Sequence, residues 1–371
     1  MKFMHLADLH IGKRVNEFSM IEDQEYILRQ ILQIAQDEQV DVVLIAGDVY
    51  DRAIPPADAV RLFDRFLTAL ARLQIAVFVI SGNHDSAERI AFGSQLMNAC
   101  GVYFSPVFDG TVQPVSVRDQ YGEIDVYLLP FLKPVYVRPH FPDAAIESYN
   151  DAMAAVIGSL VLDKAKRNVL VAHQFVTGAE TAGSEELMIG GLDNIDVEIF
   201  AGFDYVALGH IHRSQRIKYE NVRYGGTPLK YSFSEAKHRK TVTVLEMRQK
   251  GDIEFKHIPL TPLRDLREIK GSFAEIMAAE KSFDYLHITL TDEEEIPYAL
   301  GKIRSVYPNV MKLDYDNTRT RTVNEVDRAE DMENKSEIDL FAELYQMQNG
   351  RPMSDDQTAF MVNLIGKIKE A

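Results

Sequence analysis

Residues 41–51 read DVVLIAGDVYD, and this stretch indicates the fold class. Its first part, Asp41–Ala46, is a continuous run of mainly apolar and β-branched residues, which is typical of a strand buried on both faces. The polar part, GDVYD, begins where the apolar run ends. In α/β folds the functional side chains follow the carboxyl ends of the strands. The stretch therefore predicts a central strand of an α/β sheet with candidate site residues at its end.

Similar apolar runs precede and follow this strand, at Lys2–Ala7 and Ile75–Ile80. Apolar residues with helical spacing fill the two intervals. They are Ile27, Ile31 and Ile34 in the first interval and Val60, Phe63, Leu67 and Leu70 in the second. The order strand–helix–strand–helix–strand predicts a parallel sheet covered by helices.

The pattern of the whole chain predicts four parts. Further strands are expected at 124–130, 168–172, 204–208, 241–247, 253–258, 285–290 and 310–315. Residues 1–265 are predicted to form an α/β domain, a two-sheet β-sandwich flanked by helices, and 266–317 a small α/β cap domain. The polar segment 318–335 is predicted to be a linker. Two amphipathic helices are expected within 336–371.

The composition excludes several classes of protein. The 371 residues contain no apolar run of about 18 residues that would span a membrane, and the first residues are typical of a strand, not of a secretory signal. The single cysteine, Cys100, excludes a disulfide framework and a cysteine-based zinc module, and we expect it to be buried. With 40 basic and 56 acidic residues the net charge is −16, which argues against a general nucleic-acid coat but not against an enzyme with a local basic cleft. We expect a cytoplasmic protein.

Residues of the types that bind metals stand at the ends of five apolar runs. They are Asp8 and His10 in DLH, Asp48 and Asp51 in GDVYD, Asn83, His84 and Asp85 in GNHD, His173 after VLVA, and His210 and His212 in GHIH. Any one of these motifs is common as a turn or a helix start. Five of them in order, each closing an apolar run, predict one shared site.

This mixture of side chains suits a centre with two divalent cations. Such a centre needs a carboxylate that bridges the cations, with oxygen and imidazole ligands around them. Because one strand end supplies only one or two ligands, several strand ends must converge. No thiolate is available in the motifs, so Mn²⁺ or a similar first-row ion is expected.

The ordered set DLH, GDVYD, GNHD, H and GHIH resembles that of the calcineurin-like metallophosphoesterases, and the surrounding sequence resembles their DNA nuclease members over residues 1 to about 260. The resemblance implies that one ion is held by Asp8, His10, Asp48 and His212. It implies that a second ion is held by Asp48, Asn83, His173 and His210, with Asp48 as the bridge. His84 would bind no metal but contact the scissile phosphate and assist the leaving group. Asp51 and Asp85 would orient the ligands, or serve as plain turn or helix caps.

Basic residues after the last histidine motif are candidates for a DNA-binding strip. They are Arg213, Arg216, Lys218, Lys230, Lys237, Arg239 and Lys240. A strip beside the metal centre would contact backbone phosphates. The alternative is an ordinary solvated face.

The two C-terminal helices are candidates for docking to a partner, since amphipathic helices commonly bind in the groove of another protein. Their apolar faces contain Ile338, Phe341, Tyr345, Phe360, Leu364 and Ile368. The resemblance implies that this region binds the coiled-coil base of an SMC-like ATPase, and that the nuclease forms a homodimer within a heterotetramer. Packing against the same chain is the alternative.

The resemblance implies a Mn²⁺-dependent nuclease that acts in DNA end processing, recombination and repair. It implies 3′–5′ exonuclease action on duplex ends and endonuclease action on single strands or hairpins. ATP would be used by the partner, since this chain has no GxxxxGK[ST] loop. One alternative is a phosphatase or cyclic-nucleotide phosphodiesterase with the same metal centre. The other is a scaffold that has lost its chemistry, which predicts substituted ligands, and none is found.

Overall fold

Two six-stranded sheets pack face to face at the centre of the protein. The computed structural model describes residues 1–185, 193–318, 336–349 and 352–370. The described strands, numbered in chain order, are β1 (Lys2–Leu6), β2 (Arg14–Val15), β3 (Phe18–Ser19), β4 (Val42–Ala46), β5 (Ala76–Ile80), β6 (Val102–Phe104), β7 (Val115–Asp119), β8 (Gly122–Leu128), β9 (Arg167–His173), β10 (Phe175–Val176), β11 (Asn194–Ile195), β12 (Tyr205–Gly209), β13 (Gln215–Ile217), β14 (Tyr219–Tyr224), β15 (Thr241–Met247), β16 (Ile253–Pro259), β17 (Leu266–Gly271), β18 (Tyr285–Leu290) and β19 (Val310–Tyr315).

Helices cover the outer faces of the two sheets and one face of a smaller sheet. The described α-helices are α1 (Ile21–Asp37), α2 (Ala57–Arg72), α3 (Ala87–Ile90), α4 (Ser94–Met97), α5 (Pro134–Val137), α6 (Tyr149–Gly158), α7 (Phe273–Ala278), α8 (Ala299–Arg304), α9 (Glu337–Asn349) and α10 (Asp355–Glu370).

The first sheet has the strand order β16-β15-β1-β4-β5-β6. Strands β1, β4, β5 and β6 are parallel, as the alternation of strands and helices predicts, with Val42 opposite both Phe3 and Ala76. The hairpin of β15 and β16 adds to β1 in antiparallel orientation. Because β1, β4 and β5 are parallel, their carboxyl ends lie at the same edge of the sheet.

The second sheet has the order β13-β14-β12-β9-β8-β7. Its four inner strands are parallel, and the two edge strands are antiparallel to their neighbours. Residue Leu208 of β12 pairs with Ala172 of β9, so these strands also end side by side. The histidines that close β9 and follow β12 therefore lie next to each other.

Three apolar layers hold the sandwich together. The central layer lies between the sheets and includes Phe3, Leu44 and Tyr205, all fully buried. A second layer packs the first sheet against α1 and α2, and a third packs the second sheet against α6. This arrangement matches the predicted α/β sandwich flanked by helices.

A three-stranded parallel sheet, β17-β18-β19, forms a separate core with α7 and α8 within residues 266–317. Strands β18 and β19 have the predicted bounds, whereas β17 and α7 were not predicted. The hydroxyl of Tyr285 donates to Oδ2 of Asp23 at 2.8 Å, and Arg264 donates to the same carboxylate. These bonds attach the small sheet to α1.

The two C-terminal helices were predicted, and α9 begins after Ser336, whose Oγ accepts a hydrogen bond from the Asp339 amide at 3.2 Å. Phe341, Tyr345 and Phe360 line a groove between the helices, and Ile338 is half-buried. Phe360 is 66% exposed and Leu364 38%, so the described faces remain largely open to solvent. The side chain of Ile368 and residues 319–335 of the predicted linker lie outside the described residues.

Two expectations about single residues are wrong. Cys100 is exposed, because the short segment around α4 lies at the surface instead of under the sheet. Val60 is 43% exposed, because the buried face of α2 is formed instead by residues such as Leu62, Phe63 and Phe66. Among the described helices, none has the length and apolar composition needed to cross a membrane.

Candidate metal centre

Five strand ends from the two sheets converge on one buried site. The loops after β1, β4 and β5 approach from the first sheet, and the ends of β9 and β12 approach from the second. All seven predicted metal ligands lie at this convergence: Asp8, His10, Asp48, Asn83, His173, His210 and His212. Six of them are buried, and Asn83 is half-buried.

Four of these residues have a left-handed backbone conformation. The φ angles of Asp8, His10, Asp48 and His210 are 51°, 43°, 48° and 99°. Each such conformation costs about 1–3 kcal/mol for a residue with a side chain. Backbone hydrogen bonds hold the loops in place, from the Asp8 amide to Gly47 O at 3.1 Å and from the His10 amide to Asp48 O at 2.9 Å. Strain concentrated in this way is typical of functional sites.

Two glycines allow the loops to approach each other. A Cβ atom at Gly209 would lie 1.8 Å from the carbonyl oxygen of Ala46, and one at Gly82 would lie 2.1 Å from Oδ1 of Asp48. No other residue fits at either position without displacing a backbone or a candidate ligand. Gly209 therefore lets the second sheet approach the first, and Gly82 lets the loop after β5 approach Asp48 within the first sheet.

Asp8, His10 and His212 form the first group of ligand atoms. Nε2 of His10 lies 3.3 Å from Nε2 of His212, a separation expected of two imidazole nitrogens that are each about 2.1 Å from one cation. Oδ1 of Asp8 accepts a hydrogen bond from the His210 amide at 2.8 Å, whereas its Oδ2 is buried without a partner among the described residues. A buried carboxylate oxygen without a partner is costly unless a cation binds it.

His173, His210 and Asn83 form the second group. Nε2 of His173 and Nδ1 of His210 lie 2.9 and 3.0 Å from Oδ1 of Asn83. The opposite nitrogen of His173, Nδ1, lies 2.9 Å from the Ala46 carbonyl and donates to it. In neutral His173 the Nε2 lone pair would then face the amide oxygen, so either a proton or a metal ion must lie at Nε2.

Asp48 lies between the two groups. Its Oδ2 is 3.6 Å from Nε2 of His10 and 3.4 Å from Nε2 of His173. Its Oδ1 accepts a hydrogen bond from the His84 amide at 2.9 Å. One carboxylate within reach of both groups is the arrangement that a bridging ligand requires.

The pKa values of the cluster reflect burial and the charges of its own members. Burial raises the pKa of Asp8 to about 7 and lowers that of His210 to about 3. Burial also opposes the charge on His173, but the neighbouring carboxylates of Asp48 and Asp8 outweigh it and raise the pKa of His173 to about 9. Cations would replace the protons that the cluster otherwise holds. The mixture of imidazole, carboxylate and amide oxygen thus fits divalent first-row ions.

His84 lies at the solvent side of the cluster, with its side chain 19% exposed. Its ring packs edge-on against that of His10, with 4.8 Å between the ring centroids, and its Nδ1 is 3.2 Å from the carbonyl oxygen of Asp51. Nε2 of His84 lies 3.9 Å from Oδ2 of Asp48, so distance alone also allows His84 as a ligand.

Asp51 and Asp85 organise the loops around the site. Asp85 accepts hydrogen bonds of 2.9–3.0 Å from the amides of Val49, Tyr50 and Gly82, which joins the loops after β4 and β5. Asp51 forms an ion pair of 2.7 Å with Lys13. Asp85 thus acts on the loops through their backbone, while Asp51 pairs with the half-buried Lys13 and lies 3.7 Å from Nδ1 of His10.

A hydrogen-bonded chain behind His212 was missed in the sequence. The Ser184 hydroxyl lies 2.9 Å from Nδ1 of His212 and donates to Oε1 of Glu235 at 2.8 Å, and the buried ammonium of Lys240 pairs with Glu235. Because the Ser184 proton points to the carboxylate, His212 must donate from Nδ1, which leaves Nε2 free for a cation. Glu235 does not close an apolar run, so the signal that found the other residues does not apply to it.

The predicted basic strip is not continuous in the structure. Lys240 is buried in the ion pair with Glu235, and Lys230 is 11% exposed and forms an ion pair of 2.8 Å with Asp265. Lys240 thus binds a buried carboxylate and Lys230 a partly exposed one, which a sequence count of charges does not reveal. The three residues Arg213, Arg216 and Lys218 pair at the surface with Glu180, Glu220 and Glu198, respectively.

Lys237 and Arg239 are different, because both are exposed and neither has an ion-pair partner in the part of the chain that is described. Together with Arg213 they line a cavity of about 380 Å³ that reaches His212. Within the described part of the chain, Lys237 and Arg239 are therefore the two residues of the predicted strip whose charges are available to a ligand beside the metal centre.

The sandwich and this cluster define a metal-dependent phosphoesterase. The chain belongs to the calcineurin-like phosphoesterase family, whose sequence model matches residues 1–214. Residues 262–349 match a second model, described as the type 5 capsule protein repressor C-terminal domain.

Within this family the chain resembles two staphylococcal proteins, each named as the SbcD subunit of nuclease SbcCD. It is 33% identical to that of Staphylococcus epidermidis over 321 residues, 84% of this chain and 85% of the relative. It is 34% identical to that of Staphylococcus saprophyticus over 321 residues, 84% of each chain. A dimetal phosphatase from Danio rerio, 12% identical, aligns with a TM-score of 0.43 over 70% of this chain and 96% of its own.

Proposed function

We propose that this chain is a Mn²⁺-dependent DNA nuclease that hydrolyses phosphodiester bonds at a two-metal centre. The observation that carries the proposal is the convergence of seven ligand-type side chains, none of them substituted, in a relative of the SbcD subunit of nuclease SbcCD. The proposed activities are 3′–5′ exonuclease action on duplex ends and endonuclease action on single strands and hairpins. The proposed setting is DNA repair and recombination in the cytoplasm.

The chain's residues would hold two cations in the two groups described above. The first site would be Asp8, His10, Asp48 and His212, and the second Asp48, Asn83, His173 and His210. When bound, two such ions lower the pKa of a water molecule and neutralise charge on the phosphate oxygens. The side chains orient these ions, and Asp48 fixes their spacing.

His84 is proposed to supply a proton to the departing oxygen. It is the histidine of the cluster with the largest exposed fraction, and its Nδ1 contact with the Asp51 carbonyl fixes the ring so that Nε2 lies on the side of Asp48. General acid help of this kind contributes about 10²–10⁴-fold to the rate.

DNA would approach along the side of His212 where Lys237 and Arg239 are exposed. Neutralisation of phosphates by such cations gives most of the sequence-independent affinity for DNA. The small domain of residues 266–317 is proposed as an accessory cap for the same substrate, since Lys230 ties its first strand to the loop before Glu235.

The C-terminal helices are proposed to bind an SMC-like ATPase of the SbcC type. Phe341, Tyr345 and Phe360 offer it an apolar groove. We further propose a homodimer of this chain, with the apolar surface of Phe92 and Leu96, 84% and 82% exposed, as the candidate interface. Removal of residues 336–371 should abolish co-purification with the ATPase, and Leu96→Glu should shift the mass in light scattering from dimer to monomer.

Incubation of the purified protein with Mn²⁺ and a labelled hairpin oligonucleotide, with and without the ATPase, tests the proposal. We expect cleavage of the hairpin that requires Mn²⁺ and is absent in Asp48→Asn. 4-Nitrophenyl phosphate and a cyclic nucleotide are the matched substrates for the alternative activities. Rapid hydrolysis of either, with an intact hairpin, would show that the chain is a phosphatase or cyclic-nucleotide phosphodiesterase.

A further inference from the structure

A second cavity opens beside the metal centre and shares no lining residue with the cavity of Lys237 and Arg239. It has a volume of about 510 Å³, within the range of small-molecule sites in proteins. Its walls come from the loop after β5, the segment after β6 and the segment from β8 through α5. Aromatic and cationic groups among the lining residues include Phe108, Phe131, Lys133, Tyr136 and His140.

This cavity adjoins the metal centre, because Asn83 and Phe131 contact candidate ligands and also line the cavity. Asn83, whose Oδ1 faces His173 and His210, also lines the cavity. The ring of Phe131 stacks on that of His210 with a centroid distance of 6.4 Å and an interplanar angle of 21°, and it packs edge-on against His173 at 6.1 Å. A group bound in the cavity would therefore lie next to a phosphodiester at the second cation site.

Several of the exposed residues that line the cavity are apolar or aromatic, beside the polar Glu88 and His140. Tyr136 is 51% exposed, Val107 43% and Val135 38%. Exposed apolar and aromatic groups at the mouth of a cleft mark a binding site more often than a random surface does. The aromatic rings give the cavity faces on which a planar group can stack.

The cavity contains one lysine that can meet a phosphate, Lys133, and two carboxylates, Asp85 and Glu88, that are hydrogen-bonded within the protein. Asp85 is occupied by three backbone amides, and Glu88 accepts a hydrogen bond from Ser86 at 2.8 Å. Lys133 has no hydrogen-bond or ion-pair partner for its ammonium in the described part of the chain. The cavity thus offers aromatic faces and a cation that can meet a phosphate.

We propose that this cavity binds an unpaired nucleobase of the substrate strand, in the nucleotide next to the phosphodiester held at the metal centre. Tyr136 and the other aromatic rings stack on the base, and Lys133 contacts a flanking phosphate. This inference rests on the proposed nuclease function and specifies which part of the substrate this cavity binds. It implies that the strand is unpaired beside the cleaved bond.

Cleavage rates of oligonucleotides that lack one base at a defined position test the proposal. The substrates are one single-stranded oligonucleotide and a set in which each nucleotide near the cleavage site is replaced in turn by an abasic residue. With the wild-type protein and Mn²⁺, we expect an abasic residue at one position next to the cleaved bond to lower the single-turnover rate about tenfold, the effect of one lost base–aromatic stack.

Variants of Tyr136 decide whether the base binds in this cavity. Tyr136→Ala should lower the rate on the normal strand about tenfold and have no further effect on the sensitive abasic substrate. Tyr136→Phe keeps the ring and should retain the wild-type rate. Tyr121→Ala, an exposed tyrosine in the β7–β8 turn, is the matched control and should behave as wild type on all substrates.

If the effects of Tyr136→Ala and of the abasic residue on the rate are additive, the nucleobase site is wrong while the nuclease function stands. The same conclusion follows if the wild-type protein cleaves all the abasic substrates at the same rate as the normal strand. If the wild-type protein hydrolyses bis(4-nitrophenyl) phosphate but no oligonucleotide, the nuclease function itself fails and the nucleobase site fails with it.

Discussion

Glu235 and His212 lie side by side, with Oε1 of the carboxylate 3.4 Å from Nδ1 of the imidazole, and the Ser184 hydroxyl contacts both, at 2.8 Å and 2.9 Å respectively. The carboxylate thereby determines, by its own proximity and through the Ser184 hydroxyl, which nitrogen of His212 carries the proton. Outer hydrogen bonds of this kind orient metal-binding histidines and keep the ligand nitrogen unprotonated. A residue outside the strand-end motifs thus acts on the metal centre.

Glu235→Gln should weaken binding of Mn²⁺ by about 10–100-fold, because the hydrogen bonds from Glu235 and Ser184 no longer hold the His212 ring in one tautomer. Isothermal titration calorimetry measures the affinity. The substitution also leaves the buried ammonium of Lys240 without a carboxylate partner, which costs about 3–5 kcal/mol of stability. The double variant Glu235→Gln/Lys240→Met should recover stability but not affinity. Recovery of both would mean that Glu235 serves the fold alone.

His84→Gln should keep the bound Mn²⁺ and lose about 10²–10⁴-fold in turnover, since a glutamine supplies no proton. Metal content by atomic emission and a hairpin cleavage assay give the two readouts. Asp48→Asn is the contrasting variant and should lose both activity and stable occupancy. Depleted metal in His84→Gln would identify His84 as a ligand, an assignment that its 3.9 Å distance from Asp48 also allows.

Binding of Mn²⁺ should tighten as pH rises from 6 to 9 and should release protons. In the metal-free cluster the pKa of Asp8 is raised to about 7 and that of His173 to about 9, so both groups carry protons near neutral pH. A cation must displace these protons, and fewer remain to be displaced at higher pH. Titrations at one pH in buffers of different ionisation enthalpy count the protons, and a pH-independent affinity with no release would contradict this expectation.

Asp119→Asn should lower the free energy of unfolding by about 3 kcal/mol at pH 7, because it leaves the buried guanidinium of Arg167 without its carboxylate. Burial alone would raise the pKa of Asp119, but hydrogen bonds from Arg167 and the N-terminal ammonium outweigh it and hold the pKa well below its usual value.

This depressed pKa sets the pH range in which the ion pair of Asp119 stabilises the protein. The stabilisation is complete above the ordinary aspartate pKa near 4 and is lost as the pH falls towards the lower folded-state value. Urea unfolding of wild type and Asp119→Asn between pH 3 and 7 measures the difference. The difference in unfolding free energy between the two proteins should become smaller below pH 4. A difference that becomes larger in acid would contradict the depressed pKa of Asp119.

Replacing both Lys237 and Arg239 with glutamine should reduce the salt dependence of DNA binding, by about one unit of the log–log slope per residue. The reason is that both cations are exposed and free of carboxylate partners in the described part of the chain. Lys218→Gln is the matched control, since its ammonium already pairs with Glu198. An unchanged slope in the double variant would remove these residues from the DNA path.

The main strands and the candidate ligands follow from local sequence patterns. Buried parallel strands are continuous apolar runs in the sequence. The polar residue that ends such a run therefore lies at the carboxyl end of a strand, where α/β folds place their functional sites. Asp48 and His173 can therefore be identified without knowledge of the fold. The same local rule finds β18 and β19 but not β17, whose exposed Arg267, Glu268 and Lys270 break the apolar pattern.

Packing in three dimensions determines which charges are exposed and which groups support the ligands. Lys240 and Lys237 look alike in sequence, yet one is buried against Glu235 and the other is exposed. Contacts such as Ser184 with His212 and Phe131 with His210 join residues far apart in the chain, and they depend on how separate segments pack against each other. Local sequence patterns report the conformation of a segment, whereas burial and long-range pairing arise from packing between segments.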